Sequence, residues 1–133
     1  MSAVNEENVS FRPCLVLAHT DPVYAAVGAR AFRRLGWDVY TAHTGPEARR
    51  LARMLDAELV VLDAALPGES GWLTCDKLTA ELPGVRVVLV APESGGWEGR
   101  FAAFVGASAV LRHDDGVPAL LRELSAAPLP AAG

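Results

Sequence analysis

One aspartate lies where a parallel sheet would place its chemistry. Residues 59–62 are four consecutive apolar residues, and Asp63 follows them directly. An apolar run of this length, followed by the turn-forming pair Pro67 and Gly68, predicts a central strand buried on both faces. Ligands of open parallel sheets bind beyond the carboxyl ends of the strands. A carboxylate there needs solvent, a hydrogen bond or a cation, so Asp63 is predicted either to do chemistry or to cap a strand–loop junction.

Other apolar segments of strand length alternate with helical patterns along the chain. The predicted strands are 14–18, 37–42, 59–62, 85–90 and 109–111, and the predicted helices are 22–35, 46–55, 72–82, 97–105 and 117–124. Five such units predict a doubly wound α/β fold, (βα)5, with a five-stranded parallel sheet and right-handed crossovers. Residues 12–125 form the predicted domain, between a flexible N-terminal arm, 1–11, and a tail or the start of a linker, 126–133.

The first two helices carry start signals and distinct faces. Asp21 followed by Pro22 is typical of a helix start, with a capping side chain and proline in the first turn. The apolar face that we expect the first helix to bury consists of Val23, Ala26, Val27, Ala31 and Leu35. The basic cluster that we expect the second helix to expose to solvent consists of Arg49, Arg50 and Arg53.

Composition narrows the class of protein. The chain has 133 residues, 51% of them hydrophobic, and a formal net charge of -4, which argues against direct contact with nucleic acid. No apolar run approaches the ~20 residues of a membrane span, and the N-terminus lacks the basic segment of a secretory signal. Cys14 and Cys75 lie in apolar contexts without metal-ligand spacing. We therefore expect a cytoplasmic protein with two buried free thiols.

The order of these features resembles the receiver domain of bacterial response regulators. The resemblance covers residues 12–125 and rests on the five strand–helix units, Asp63 after the third strand, the Leu-Pro-Gly sequence 66–68 and Gly71. It implies a CheY-like, flavodoxin-like fold with strand order 2-1-3-4-5. It also implies a place in two-component (phosphorelay) signal transduction, where this aspartate takes a phosphoryl group from a histidine kinase beside a magnesium ion.

Four other positions of that resemblance carry different side chains in this sequence. The acidic pair that holds the metal falls on His19 and Thr20, and Asp21 is the residue after the pair. The hydroxyl residue that closes the fourth strand falls on Ala91, and the lysine that follows the fifth strand falls on His113. The resemblance therefore implies a degenerate phosphorylation pocket.

These changes alter what the pocket could bind. Mg²⁺ needs several oxygen ligands, and Asp63 is the main carboxylate left in this pocket. We therefore expect weak or absent magnesium binding and no other cofactor. We expect His19 and His113 to be neighbours that fill the vacated pocket and hydrogen-bond to Asp63. The alternative is a transition-metal site on the two histidines, with Asp63 or Asp21 as a third ligand.

Three functions remain open at this stage. The favoured one is an atypical receiver, or pseudo-receiver, that is not an enzyme and works by binding a signalling protein, either a histidine kinase or an output protein. The second is a working phospho-acceptor in which Asp63 is the nucleophile and His113 supplies charge. The third is a flavodoxin-like fold used as an enzyme or small-ligand binder at the same pocket. The resemblance also leaves open a homodimer through the fourth and fifth helices.

Overall fold

Five strands form one parallel sheet. The computed structural model describes residues 12–92 and 98–126, so the predicted N-terminal arm and the tail beyond residue 126 lie outside the described residues. The strands are β1 Cys14–Ala18, β2 Asp38–Ala42, β3 Leu59–Asp63, β4 Arg86–Ala91 and β5 Ala109–Arg112. Their order is β2-β1-β3-β4-β5, and each neighbouring pair is parallel. The predicted fold class and strand order are confirmed.

Helices cover both faces of the sheet. They are α1 Pro22–Arg34, α2 Gly45–Leu55, α3 Gly71–Glu81, α4 Glu98–Val105 and α5 Gly116–Ala126, with a short 3₁₀ turn at His113–Asp115 before α5. Buried residues of α2, α3 and α4 share one apolar cluster with one face of the sheet, and those of α1 and α5 share a second cluster with the other. Within the described ranges, no helix combines the length and apolarity that a membrane span requires.

The central strands are apolar because both of their faces are covered. All five residues of β1 and all five of β3 are buried. Val60 and Leu62 belong to the cluster under α2 to α4, whereas Leu59 and Val61 belong to the cluster under α1 and α5. Buried on both sides, such strands cannot show the alternation of a half-exposed sheet. This arrangement places Asp63 at the carboxyl edge of the sheet, at the end of its central strand.

The buried face of α1 differs from the predicted one. Val23, Val27 and Leu35 are 68%, 50% and 66% exposed, so the predicted apolar face was wrong. The residues that face the core are Tyr24, Gly28, Ala29 and Phe32. A Cβ on Gly28 would lie 3.3 Å from the Leu17 side chain, so glycine lets α1 pack closely against β1. A count of apolar residues could not find a face built from glycine and tyrosine.

Gly71 sets the close packing of α3 on the end of β3. A Cβ at this position would lie 2.3 Å from the Asp63 carbonyl oxygen and 2.8 Å from the Ala64 Cα atom. Both of these atoms belong to the backbone, which cannot move aside as the end of a flexible side chain can. The absence of a side chain at Gly71 therefore helps to fix the segment that carries Asp63.

We expect Gly71→Ala to lower the free energy of unfolding by about 2 kcal/mol or more, because the new methyl group must push α3 away from β3. Gly84→Ala is the matched control, since a Cβ there would meet nothing within 4 Å. Denaturant unfolding of both variants measures the difference. Equal stabilities would contradict this account of the contact.

Candidate functional site

The predicted site residues meet at the carboxyl edge of the sheet. β1 and β3 end side by side, and β4 and β5 continue the same edge. A cavity of about 260 Å³ opens there, lined by His19, Thr20, Asp21, Asp63, Ala65, Pro92 and His113. Ala91 is buried at the end of β4 and brings no hydroxyl to this edge. Five of the six predicted positions thus line one cavity, and the sixth is next to its lining residue Pro92.

Asp63 accepts hydrogen bonds from its own chain on both carboxylate oxygens. The Thr20 N–H donates to Oδ2 at 3.0 Å, and the Thr20 hydroxyl donates to the same oxygen. The Ala65 N–H donates to Oδ1 at 2.8 Å. Burial alone would raise the pKa of Asp63, but these hydrogen bonds together hold it below its ordinary value. The aspartate is therefore ionised, and its negative charge is stabilised by hydrogen bonds from the loops after β1 and β3.

His19 is a neutral neighbour of this carboxylate. Its Nδ1 accepts the Asp21 N–H at 2.9 Å and lies 3.5 Å from Asp63 Oδ2. Because Nδ1 uses its lone pair for that bond, it has no proton to share with Asp63, and the two side chains do not form an ion pair. Burial lowers the pKa of His19 by more than the Asp63 charge raises it. The predicted hydrogen bond between His19 and Asp63 was therefore wrong.

Asp21 performs two tasks at the start of α1. Its Oδ1 accepts the Val23 N–H at 2.9 Å, which confirms the predicted helix cap. Its Oδ2 pairs with His113 Nε2 at 2.9 Å. The hydrogen bond from His113 lowers the pKa of Asp21, and the same bond raises the pKa of His113. His113 thus pairs with Asp21 and, when protonated, directs its charge to that carboxylate, so the predicted bond from His113 to Asp63 was also wrong.

Tyr24 completes the site and was missed from the sequence. Its ring stacks on His19 with centroids 4.3 Å apart, and His113 lies 5.3 Å from His19 and 5.5 Å from Tyr24. The two histidines are neighbours, as predicted, but a buried tyrosine from α1 joins them. Burial raises the pKa of Tyr24 to about 12. The sequence signal for Tyr24 was its position one turn after the Asp21 cap, because the first turn of α1 faces the carboxyl ends of the strands.

The loop after Asp63 is held by a second carboxylate that was also missed, Glu69. Its two oxygens accept from Arg49 Nε and Nη2, both at 3.0 Å, from Lys77 Nζ at 3.0 Å and from the Thr74 hydroxyl at 2.7 Å. These hydrogen bonds, above all the one from Arg49, lower the pKa of Glu69 to about 2. Arg49 was predicted to be solvated, but its side chain is only 17% exposed, so that prediction was wrong. Arg53, more exposed, pairs with Glu81.

The described residues do not form a metal site. Between residues 12–92 and 98–126, no group of three or more histidine, cysteine or carboxylate side chains is placed to hold a metal ion. The hypothesis of a transition-metal site on His19 and His113 therefore finds no ligand set here. Cys14 and Cys75 are free and buried, as predicted.

Comparison with known proteins identifies the fold. No protein-family model matches the chain. The structure is similar to that of Vibrio cholerae chemotaxis protein CheY4, with a TM-score of 0.80 and 16% identity over 87% of this chain and 98% of that one. It is also similar to the BeF3-activated N-terminal receiver domain of Klebsiella pneumoniae RstA, with a TM-score of 0.76 and 24% identity over 85% of this chain and 96% of that one. At these identities the likeness establishes the fold alone.

One curated relative is similar in sequence. Over 80 residues, 59% of its length, the chain is 40% identical to the probable transcriptional regulatory protein TcrX of Mycobacterium tuberculosis. The match covers 34% of that relative, so the chain spans about a third of its length.

The two histidines of the site are expected to titrate on opposite sides of pH 6.5, the ordinary pKa of the imidazole. The pair with Asp21 stabilises the fold below pH 6.5, and this stabilisation is lost as the pH rises through the raised pKa of His113. The fold favours neutral His19. The stability that this preference contributes is lost as the pH falls below 6.5 and through the lowered pKa of His19. Nuclear magnetic resonance of the imidazole signals measures both pKa values.

Asp21→Asn separates the charge of Asp21 from its capping role, because asparagine caps helices as well as aspartate does. We expect the pKa of His113 to fall towards 6.5 in this variant. Asp76→Asn, on an exposed position of α3, is the matched control. An unchanged His113 titration in Asp21→Asn would refute the assignment of the pair.

Proposed function

We propose that this chain, which has the fold of the CheY-like receiver domains of response regulators, acts in two-component signal transduction mainly by binding a partner protein. The observation that carries this proposal is the state of Asp63. Its Oδ2 accepts hydrogen bonds from Thr20, its Oδ1 accepts one from Ala65, and its imidazole neighbour His19 is neutral. A carboxylate in that state anchors two loops, and it is poorly prepared to attack a phosphoryl group.

The residues present do not fit a magnesium ion. Mg²⁺ requires near-octahedral oxygen ligands and is usually held by carboxylates, waters and substrate phosphate. The second carboxylate at this edge, Asp21, accepts from the Val23 N–H and pairs with His113. Recruiting it would uncap α1 and leave His113 with only its longer contact to Asp114, at 3.7 Å. We therefore infer weak or absent magnesium binding, with Asp63 as the main ligand if any ion binds.

The groups that would respond to a phosphoryl group are also missing. Ala91 offers no hydroxyl at the end of β4, and the imidazole of His113 is engaged with Asp21. Among the residues that the structure describes, a phosphoryl group on Asp63 would thus find no side chain placed to pull the loop after β4 inward. Partner binding in this proposal is independent of phosphorylation, and the protein acts as an adaptor and not as an enzyme.

The partner in this proposal is a signalling protein in the cytoplasm, either a histidine kinase or an output protein. The name of the relative TcrX, a probable transcriptional regulatory protein, supports a link to regulation of transcription. The net charge of -4 favours a route through a protein and not direct contact of this domain with nucleic acid. Buried free thiols at Cys14 and Cys75 suit a reducing compartment.

A second candidate function is slow phosphoryl acceptance by Asp63. One observation favours it: the ionised carboxylate borders a cavity of about 260 Å³ that His113 also lines. An Asp63 oxygen would attack the phosphorus of a donor, the donor's bond to phosphorus would break, and an acyl phosphate would form. Oδ2 could attack only after the Thr20 hydrogen bonds break, and attack through Oδ1 would compete with the hydrogen bond from the Ala65 N–H, which is why we rank this function second.

Intact mass after incubation with acetyl phosphate and Mg²⁺ separates the two functions. We expect no magnesium-dependent gain of a phosphoryl group in the natural sequence, because its ligand set is incomplete. A gain that disappears in Asp63→Asn would overturn the preferred function and establish the second.

The positive control is a variant of this chain with the four groups of working receivers restored. It combines His19→Asp, Thr20→Asp, Ala91→Thr and His113→Lys, and its circular dichroism must match that of the natural sequence. We expect this variant to gain one phosphoryl group on Asp63 under the same conditions. If it gains none while remaining folded, the four substituted positions do not explain the inactivity, and the proposal loses its physical basis.

A further inference from the structure

An open groove runs beside the site, along α1 and the carboxyl ends of β1 and β2. Its volume is about 820 Å³, within the range of roughly 300–1,000 Å³ that is typical of small-molecule pockets. Its apolar wall is made largely of small side chains, Ala25, Ala26 and Ala29 on α1 and Ala42 on β2. Because alanine side chains fill little space, the groove stays open between the helix and the edge strand.

The charge of this groove is positive. Arg30 and Arg33 line it, and none of the described residues that line it is acidic. Arg33 is fixed in place, since its Nη2 donates to the Val39 carbonyl oxygen at 2.8 Å and leaves other N–H groups for a ligand. An apolar wall beside two guanidinium groups suits a molecule with an apolar body and a negative group.

The buried polar group that lines the groove is His19, which is nine-tenths buried. Its Nδ1 accepts the Asp21 N–H, so the ring hydrogen is on Nε2. Nε2 is buried and has no hydrogen-bond partner in the described part of the chain. A buried donor without an acceptor is costly, and the ring with this unpaired N–H group forms part of the wall of this groove.

We propose that this groove is a binding site for a small organic anion with an apolar body. The anionic group is held by Arg30 and Arg33, and the apolar body packs on the alanine wall beside the ring of His19. His19 lines both this groove and the Asp63 cavity, so occupancy of the groove is communicated to the strand-end site. The domain would then receive a chemical input that requires no phosphorylation.

Titration with 4-phenylbutyrate, followed by ¹H–¹⁵N correlation spectra of the natural sequence, tests this proposal. We expect saturable shifts of the amide signals of Ala26 and Thr41, together with a shift of the His19 Nε2 signal. The amide analogue 4-phenylbutyramide lacks the negative charge, and inorganic phosphate lacks the apolar body. Both should therefore bind at least about tenfold more weakly than 4-phenylbutyrate.

Two arginine variants locate the anionic group. Arg30→Gln should weaken 4-phenylbutyrate binding about tenfold, the effect of losing one charge-assisted hydrogen bond. Arg34→Gln, on the same helix and outside the groove lining, should leave the affinity unchanged. The absence of saturable shifts, equal binding of the uncharged amide or of inorganic phosphate, or equal effects of the two variants would each overturn the proposal. Detection of phosphoryl transfer to Asp63 would overturn the preferred function but not this proposal, because the groove does not depend on that function.

Discussion

The buried negative charge of Asp63 must be stabilised by its surroundings. The groups that stabilise it determine which ligands this edge of the sheet can hold. Burial penalises an ionised carboxylate heavily. This chain compensates with hydrogen bonds from Thr20 and Ala65, and not with a cation held beside Asp63 by a pair of acids. The loop after β1 is thereby tied to the end of β3. In the proposed function, the interaction that stabilises the fold is the same one that withdraws the carboxylate from phosphoryl chemistry.

The charge states of the side chains around Asp63 follow from the way in which its carboxylate is stabilised. With Asp63 satisfied, His19 needs no charge and remains a neutral, buried ring stacked on Tyr24. The positive charge of His113 is directed to Asp21, whose other oxygen caps α1. On the far side, Glu69 ties the loop after β3 to α2 and α3. The site is thus a set of separately satisfied carboxylates, whereas a magnesium site would require carboxylates that share one cation.

The fold was predictable because its signals are local and redundant. Apolar runs of strand length, helix caps and Pro/Gly breaks agreed along the chain, so the five strand–helix units and the Asp21 cap were predicted from local patterns. The strand order, also predicted correctly, came from the resemblance to receiver domains. The partners of Asp63 were not predictable, because the direction of a side chain after a strand depends on the loop backbone. A sequence also does not reveal that Arg49 leaves solvent to meet Glu69, twenty residues away. The buried face of α1 was missed because Gly28, which has no side chain, forms part of it.

The most direct test of the central claim is the free energy of unfolding of Asp63→Asn at neutral pH, measured against Asp76→Asn as a control for loss of a surface charge. An asparagine retains one acceptor oxygen but turns an NH₂ group towards the Thr20 N–H, a donor against a donor. If the carboxylate is a structural anchor, Asp63→Asn loses about 2 kcal/mol or more, and Thr20→Val in the same background adds little further loss. If Asp63→Asn is as stable as the natural sequence, or more stable, the carboxylate is a strained, available group, and the account of this site is wrong.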